Sequence, residues 1–255
     1  MNKFFKFTYL SLIYIFLYLP VAIFIVYSFN NAKLSAVWHG ATLRWYYTLF
    51  NNPNLLLVTA HSLILATIAS TIAVCFGALG AFALFKYRFF AKNTLYGLLF
   101  VLIIVPDLVF GISLLVLYTT LKLPLGFWTL LLAHITFCLP FVVVTIYGRL
   151  LGTDKSLFEA ARDLGATDLK IFWRIILPLM MPALVAGWLL SFTLSMDDVI
   201  ISFFVTGPSY QILPLYIYSQ VHIGVTYEVN ALCTLIFVLT IALVLSSQFL
   251  VRKKV

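Results

Sequence analysis

Charge is what this chain has least of. Only 9% of its 255 residues are Asp, Glu, Lys or Arg, against roughly 25% in soluble domains. With 64% hydrophobic residues and a mean hydropathy of +1.10, it reads as an integral membrane protein. No interval between its apolar runs exceeds about thirty residues, too few for a separate soluble domain. Acids are scarcer still, eight against sixteen Lys and Arg, for a net charge of +8. In a membrane protein that excess reflects topology, so no nucleic-acid partner is expected. The three cysteines, Cys75, Cys138 and Cys233, each lie alone in an apolar run, which implies packing and neither disulfide nor metal. His39, His61, His134 and His222 are scattered, without the spacing to a carboxylate that a metal site would need. None of the twelve glycines opens a Gly-Lys-Ser or Gly-Lys-Thr. Without that phosphate-cradling loop no catalytic residue and no cofactor is expected.

What is abundant is apolar length. Six runs are long enough to span a bilayer, at about 9–29, 57–85, 94–121, 127–148, 178–205 and 229–250. The expected architecture is all-α, a single domain over residues 1–255. No small-residue cleavage site follows the first run, which reads as a retained helix. Residues 30–55 are mixed and aromatic, with Trp38, Trp45, Tyr46 and Tyr47, as suits an element resting at the membrane surface. Six spans put both termini on one side. Lys3, Lys6, Lys86, Arg88, Lys92, Arg149, Lys155, Arg162, Lys170, Arg174, Arg252, Lys253 and Lys254 fall on that side, and only Lys33, Arg44 and Lys122 opposite. By the positive-inside rule both termini and the loop 149–178 are expected in the cytoplasm.

That loop, RLLGTDKSLFEAARDLGATDLKIFWRIILP, is the only long interval with dense charge. Ser156 and Glu159 have capping-box spacing, so a helix is expected from Leu157. Phe158, Ala161 and Leu164 fall on one of its faces. Gly165 offers a stop that residues with a Cβ resist. Thr167 or Asp168 then caps a second helix, and Pro178 marks a new element. Taken alone, the loop is consistent with a solvated, amphipathic connection.

Three acids lie where hydrocarbon is expected: Asp107 in the third run, Asp197 and Asp198 in the fifth. Each costs roughly 2.5–3.5 kcal/mol at a bilayer centre. No Lys or Arg lies at that depth, so protonation, a partner in a neighbouring subunit, or a cation pathway remain as explanations. Trp188, Ser191, Ser195, Asp198 and Ser202 recur at steps of three and four, one helical face, with Thr193 and Asp197 beside it. Such a stripe suits a pathway lining or a packing seam between helices; two adjacent acids favour the pathway. On straight helices Asp197 stands roughly 28 Å above Pro178 and Asp107 roughly 20 Å above Asn93. Pro106 is expected to kink the third span, for packing or to line a cavity, and Gly111 fits either. Trp45 offers a π face to a cation or a simple surface anchor. Glu228 reads as solvated.

Glu159-Ala160-Ala161, Gly165, Ile175, Leu177 and Pro178 reproduce the EAA---G---------I-LP pattern, which resembles the membrane subunits of binding-protein-dependent ABC importers. SFTLSMDDVIISFFVTGPSYQILPLYIYS (Ser191 to Ser219), HITFCLPFVVVTIYGRL (His134 to Leu150) and the WHGATLRWY stretch extend the likeness to permeases of bacterial spermidine/putrescine importers. The resemblance implies a six-helix type I importer fold in a bacterial inner membrane. It implies that Glu159, Ala160, Ala161 and Gly165 belong to a cytoplasmic coupling helix docking on an ATPase. The implied partners are a second related permease, an ATPase dimer and a periplasmic polyamine-binding protein, within the lipid bilayer. ATP hydrolysis would belong to the ATPase, and transport would proceed by alternating access. Asp107, Ser191, Ser195, Asp197, Asp198 and Trp45 are the candidate path residues. A permease for another small cation, or an ion-coupled secondary transporter, are the alternative readings; the second leaves the EAA loop without a role.

Overall fold

The computed structural model describes residues 3–32, 37–154, 156–223 and 227–252. Four of the counted cations, Lys33, Lys155, Lys253 and Lys254, lie outside the described residues. Among those described the chain is helical throughout, apart from one isolated antiparallel bridge between Asn30 and Ala41. The helices are α1 (Lys3–Tyr27), α2 (Arg44–Phe50), α3 (Pro53–Lys86), α4 (Lys92–Ile104), α5 (Asp107–Thr120) and α6 (Phe127–Leu151). There follow α7 (Ser156–Asp163), α8 (Asp168–Ile171), a π-helical turn (Phe172–Ile176), α9 (Leu177–Asp197), α10 (Ile200–Val205), α11 (Leu213–Ile223) and α12 (Tyr227–Arg252). Among the described residues four helical segments are long and apolar enough to cross a membrane, or five if the bent pair α4 and α5 counts as one. The apolar stretch Tyr227–Val238 of α12 is shorter than a span.

The chain divides into two compact units. One comprises residues 1–57 and 216–255. Its centre is aromatic: Trp45 of α2 lies against Tyr227 of α12 with ring centroids 5.8 Å apart, and Tyr27 of α1 stacks on Tyr227 at 6.2 Å. The Trp45 indole N–H donates to the Asn30 carbonyl at 2.6 Å. Glu228 is not merely solvated, since its carboxylate accepts the Asn52 amide at 3.1 Å.

The other unit, residues 58–215, is built on α6 and α9, which pack along their length. The contact is close because small side chains face bulky ones: a Cβ on Gly77 of α3 would stand 2.5 Å from Val142 Cγ1 of α6, and one on Gly187 of α9 would stand 3.5 Å from it. Cys138, Val142, Ile146, Met180 and Ala183 fill the seam. Without a hydrophobic force between helices in lipid, this packing must supply much of the association.

Two expectations are corrected. The third span is not one kinked helix; α4 and α5 meet at 106°. Pro106 forces the residue before it out of helical geometry, and both Val105 (ψ 129°) and Pro106 (ψ 135°) are extended. The fifth span does not run unbroken over 178–205: α9 ends at Asp197, Asp198 is extended (ψ 122°), and α10 starts afresh at Ile200. Pro178 does lie in the first turn of a new element, α9, although helix continues across the junction. Helix runs from Asp168 to Asp197 as a 30-residue candidate span, with the π-helical turn immediately before Leu177. Proline lacks the amide and crowds the carbonyl four residues back; a widened turn at that carbonyl, Arg174, relieves both problems.

Candidate functional site

The loop between α6 and α9 is ordered by its own sequence. The Asp154 carboxylate accepts the Ser156 amide at 2.9 Å, so α7 starts at Ser156, one residue before the expected start. The Ser156 amide and hydroxyl hold the Asp154 carboxyl below its usual range. At the other end Gly165 adopts φ +76°. Its amide donates to Arg162 O at 2.8 Å and the Ala166 amide to Ala161 O at 3.0 Å, the paired bonds of a Schellman stop. Leu164 therefore does not share the inner face with Phe158 and Ala161. It leaves the helix as the chain turns and is 89% exposed.

The inner face of α7 packs on the end of α3. Phe158 meets Phe85 at 5.7 Å, Phe172 meets Phe82 at 5.0 Å, and Ala161 is buried. Thr167 caps α8 by accepting the Lys170 amide. Asp168, in the first turn of α8, takes Lys86 Nζ at 2.9 Å and Arg162 at 3.2 Å. Glu159, Ala160 and Gly165 remain exposed. Between Glu159 and the basic Lys86, Arg88, Lys92 and Arg162 lies a cavity of ≈ 220 Å³.

The second site sits at the two helix breaks. Asp107 opens α5, Asp197 closes α9 and Asp198 lies in the break; all three line one cavity of ≈ 350 Å³ with Phe137, Leu194, Val199 and Ile200. Straight-helix arithmetic put Asp107 and Asp197 at different depths. The 106° bend overrides it, and Gly111 shows how: it lets α5 lie against α10, where an added Cβ would stand 3.2 Å from Ile201 Cα. Asp107 and Asp197 are exposed to the cavity, whereas Asp198 is only 8% exposed. No Lys or Arg is among its described lining residues.

The serine stripe does not open to this cavity. Ser191, Ser195 and Ser202 are all buried. The Ser191 carbonyl takes the Cys138 thiol at 3.5 Å. Trp188 donates its indole N–H to Thr71 of α3 at 3.1 Å, and Thr193 bonds back to Leu189 O. Asp198 accepts the Ile201 amide at 3.1 Å, the Ser202 amide at 2.8 Å and the Ser202 hydroxyl at 2.7 Å, and so caps α10.

His134, which spacing alone gave no reason to single out, belongs to the same cluster. Its Nδ1 lies 2.7 Å from Ser195 Oγ, its Nε2 2.9 Å from Ser202 Oγ and 3.6 Å from the Asp198 carboxylate. The helical pattern of Ser195, Asp198 and Ser202 was the available signal, since a buried polar stripe requires a partner. Trp45, in the other unit, is 5% exposed, with its N–H committed to Asn30. No cluster of three or more metal-ligating side chains occurs among the described residues.

Residues 73–255 match the family model of the binding-protein-dependent transport system inner membrane component. The chain is 54% identical over 246 residues to the spermidine/putrescine transport system permease protein PotC of Escherichia coli K12, covering 96% of this chain and 93% of that one. It is 49% identical to the PotC protein of Haemophilus influenzae, with 99% of each covered. Against the putrescine transport system permease protein PotI of Escherichia coli K12 it is 43% identical, over 87% of this chain and 81% of that one. Among solved structures it resembles a chain of a bacterial ABC transporter that imports alginate, with TM-score 0.73, 18% identity and 96% of both chains covered. That likeness concerns the fold alone.

Proposed function

The chain belongs to the binding-protein-dependent transport system inner membrane component family, and we propose that it is a polyamine-translocating permease subunit of an ATP-driven importer. The observation that carries the substrate class is the cavity where Asp107, Asp197 and Asp198 meet without a fixed cation. Its geometry suits a passing ammonium group. Asp197 ends α9, and the carboxyl end of a helix carries partial negative charge. A cation there meets a carboxylate and a helix terminus, both of which compensate its lost hydration. The grip must stay weak for the solute to leave. Exposed Asp107 and Asp197 can change partners freely, whereas Asp198 is held in the wall by three hydrogen bonds.

The remaining assignments follow from the same reading. The bent pair α4 and α5 forms a single third span, α9 with α10 the fifth, and α12 the sixth, which leaves both termini in the cytoplasm with most of the Lys and Arg. α7 is the coupling helix: Glu159, Ala160 and Gly165 are its exposed contact surface for an ATPase subunit, while Ala161 and Phe158 seat it on α3. A second permease, two ATPase subunits and a periplasmic polyamine-binding protein complete the importer, which works by alternating access.

The test is ATP-dependent spermidine uptake by vesicles containing the whole complex, comparing wild type with Asp107→Asn and Asp197→Asn. Uptake per assembled complex falls in both variants. Undiminished uptake in both would refute the acidic path, and no polyamine uptake by the wild type would refute the substrate class.

A further inference from the structure

The cluster around His134 fixes where its protons must be. Ser202 Oγ donates to the Asp198 carboxylate at 2.7 Å, and a hydroxyl has one proton to give. Toward His134 it therefore accepts, so Nε2 carries the hydrogen of their 2.9 Å contact. In a neutral imidazole Nδ1 is then an acceptor, and it takes the Ser195 hydroxyl at 2.7 Å. One directed chain results: Ser195 O–H to His134 Nδ1, His134 Nε2–H to Ser202 Oγ, Ser202 O–H to Asp198 Oδ2. Each member is buried.

The chain crosses the break between two helices. Ser195 lies two residues before the end of α9, Ser202 lies in the first turn of α10, and His134 reaches both from α6. The two residues left outside regular helix are Asp198 and Val199, directly after Asp197. Nothing in the backbone holds such a break at a fixed angle, because the helix ends share no continuous ladder there. The imidazole supplies what the ladder lacks, a rigid bridge with two fixed hydrogen-bonding directions.

We propose that His134 is a positioning residue of the transport pathway: it latches α9 to α10 and thereby sets the directions of the Asp197 and Asp198 carboxylates at the cavity. This rests on reading that cavity as the cation path. His134 does not touch the solute; it is buried and is not among the residues that line the cavity. The role requires the bridging geometry and no change of charge at the imidazole. An amide long enough to span the two hydroxyls therefore serves in part, and an apolar side chain of similar size does not.

The experiment is spermidine uptake by vesicles carrying the whole complex, scored per assembled complex, for wild type, His134→Leu and His134→Gln. The amount of loaded binding protein giving half-maximal ATPase stimulation is measured alongside. In His134→Leu the maximal uptake falls roughly tenfold, the scale of losing its two hydrogen bonds between neutral groups. Half-maximal stimulation stays where it is, and His134→Gln recovers a substantial part of the uptake. A role confined to folding would lower the assembled amount and leave uptake per complex at the wild-type level, which overturns the proposal. So does uptake in His134→Gln as low as in His134→Leu. If His134→Leu does not assemble, Ser202→Ala removes the middle hydroxyl at little change of volume, and undiminished uptake per complex in that variant likewise overturns it. Failure of the polyamine reading is separate, because it appears as absent uptake in the wild type.

Discussion

Replacing Asp198 by Asn tests the helix break itself. The carboxylate accepts from the Ile201 amide through one oxygen and from the Ser202 amide and hydroxyl through the other. Asparagine brings one acceptor oxygen and an NH2 group that only donates. With its oxygen toward Ser202 it leaves the Ile201 amide facing a donor; turned round, it leaves both Ser202 groups facing one. Even the better orientation loses one bond and removes the charge from two. A hydrogen bond to a charged group contributes about 1.5–3 kcal/mol, and an unmet buried donor costs about 1–3 kcal/mol. Asp198→Asn is thus expected to destabilise this unit by about 3 kcal/mol. The assay is thermal unfolding of the purified complex together with the amount assembled in membranes. A melting curve and yield equal to wild type would refute the cap. Lost uptake in this variant, uncorrected for assembly, says nothing about contact between Asp198 and a cation.

Three smaller perturbations follow from local geometry. Gly165→Ala meets no atom within 4 Å, so its cost is the left-handed backbone alone, about 1–2 kcal/mol; faster proteolysis or hydrogen exchange at residues 161–166 is expected, and an unchanged pattern counts against the Schellman stop. Trp45→Phe removes the indole hydrogen bond to the Asn30 carbonyl and is expected to cost about 1 kcal/mol in thermal unfolding; no loss would mean that the 2.6 Å bond contributes nothing. The Asp154 carboxyl is held below its usual value, so the stability it gives the start of α7 is complete above the unfolded carboxyl range, near pH ~4, and is lost as pH falls through the lower folded value. Exchange of the Ser156 amide, corrected for its intrinsic pH dependence, should be flat from pH 7 to about 5 and accelerate only in stronger acid; acceleration already near pH 6 would exclude Asp154 as the cause.

Much of the molecule could be read from residue patterns because those patterns are local. The apolar runs at 57–85 and 127–148 coincide with α3 and α6 to within a few residues, since length and hydropathy decide a span. The stop at Gly165 was legible because a left-handed residue is needed there and glycine alone takes it without strain. The breaks were harder. Pro106 announced a disturbance, but whether a proline kinks or divides a helix depends on what packs beyond it, here α10 against Gly111. The break at Asp198 carried a fainter signal, an Asp before Val-Ile-Ile, which matches an N-cap as well as it matches the interior of a polar stripe. His134 was invisible for a plainer reason: its partners lie more than sixty positions away, and no spacing rule reaches across helices.

The three acids are not equivalent, and helix termini explain the difference. Within an unbroken apolar helix each would carry the full cost of its charge. At a break the backbone itself can compensate. Asp107 stands at the amino end of α5, where the helix dipole favours a negative charge, and Asp198 takes two free amides of α10. Asp197 is the exception. It ends α9, where the terminal carbonyls already carry partial negative charge, so its carboxylate is repelled by its own helix by about 0.3–1 kcal/mol. On the proposed path a passing cation would offset that repulsion. Opposite effects on two readouts therefore follow for Asp197→Asn: unchanged or slightly raised thermal stability, with reduced uptake per complex. Loss of stability together with loss of uptake would make Asp197 a structural residue like Asp198 and leave Asp107 alone to carry the acidic path.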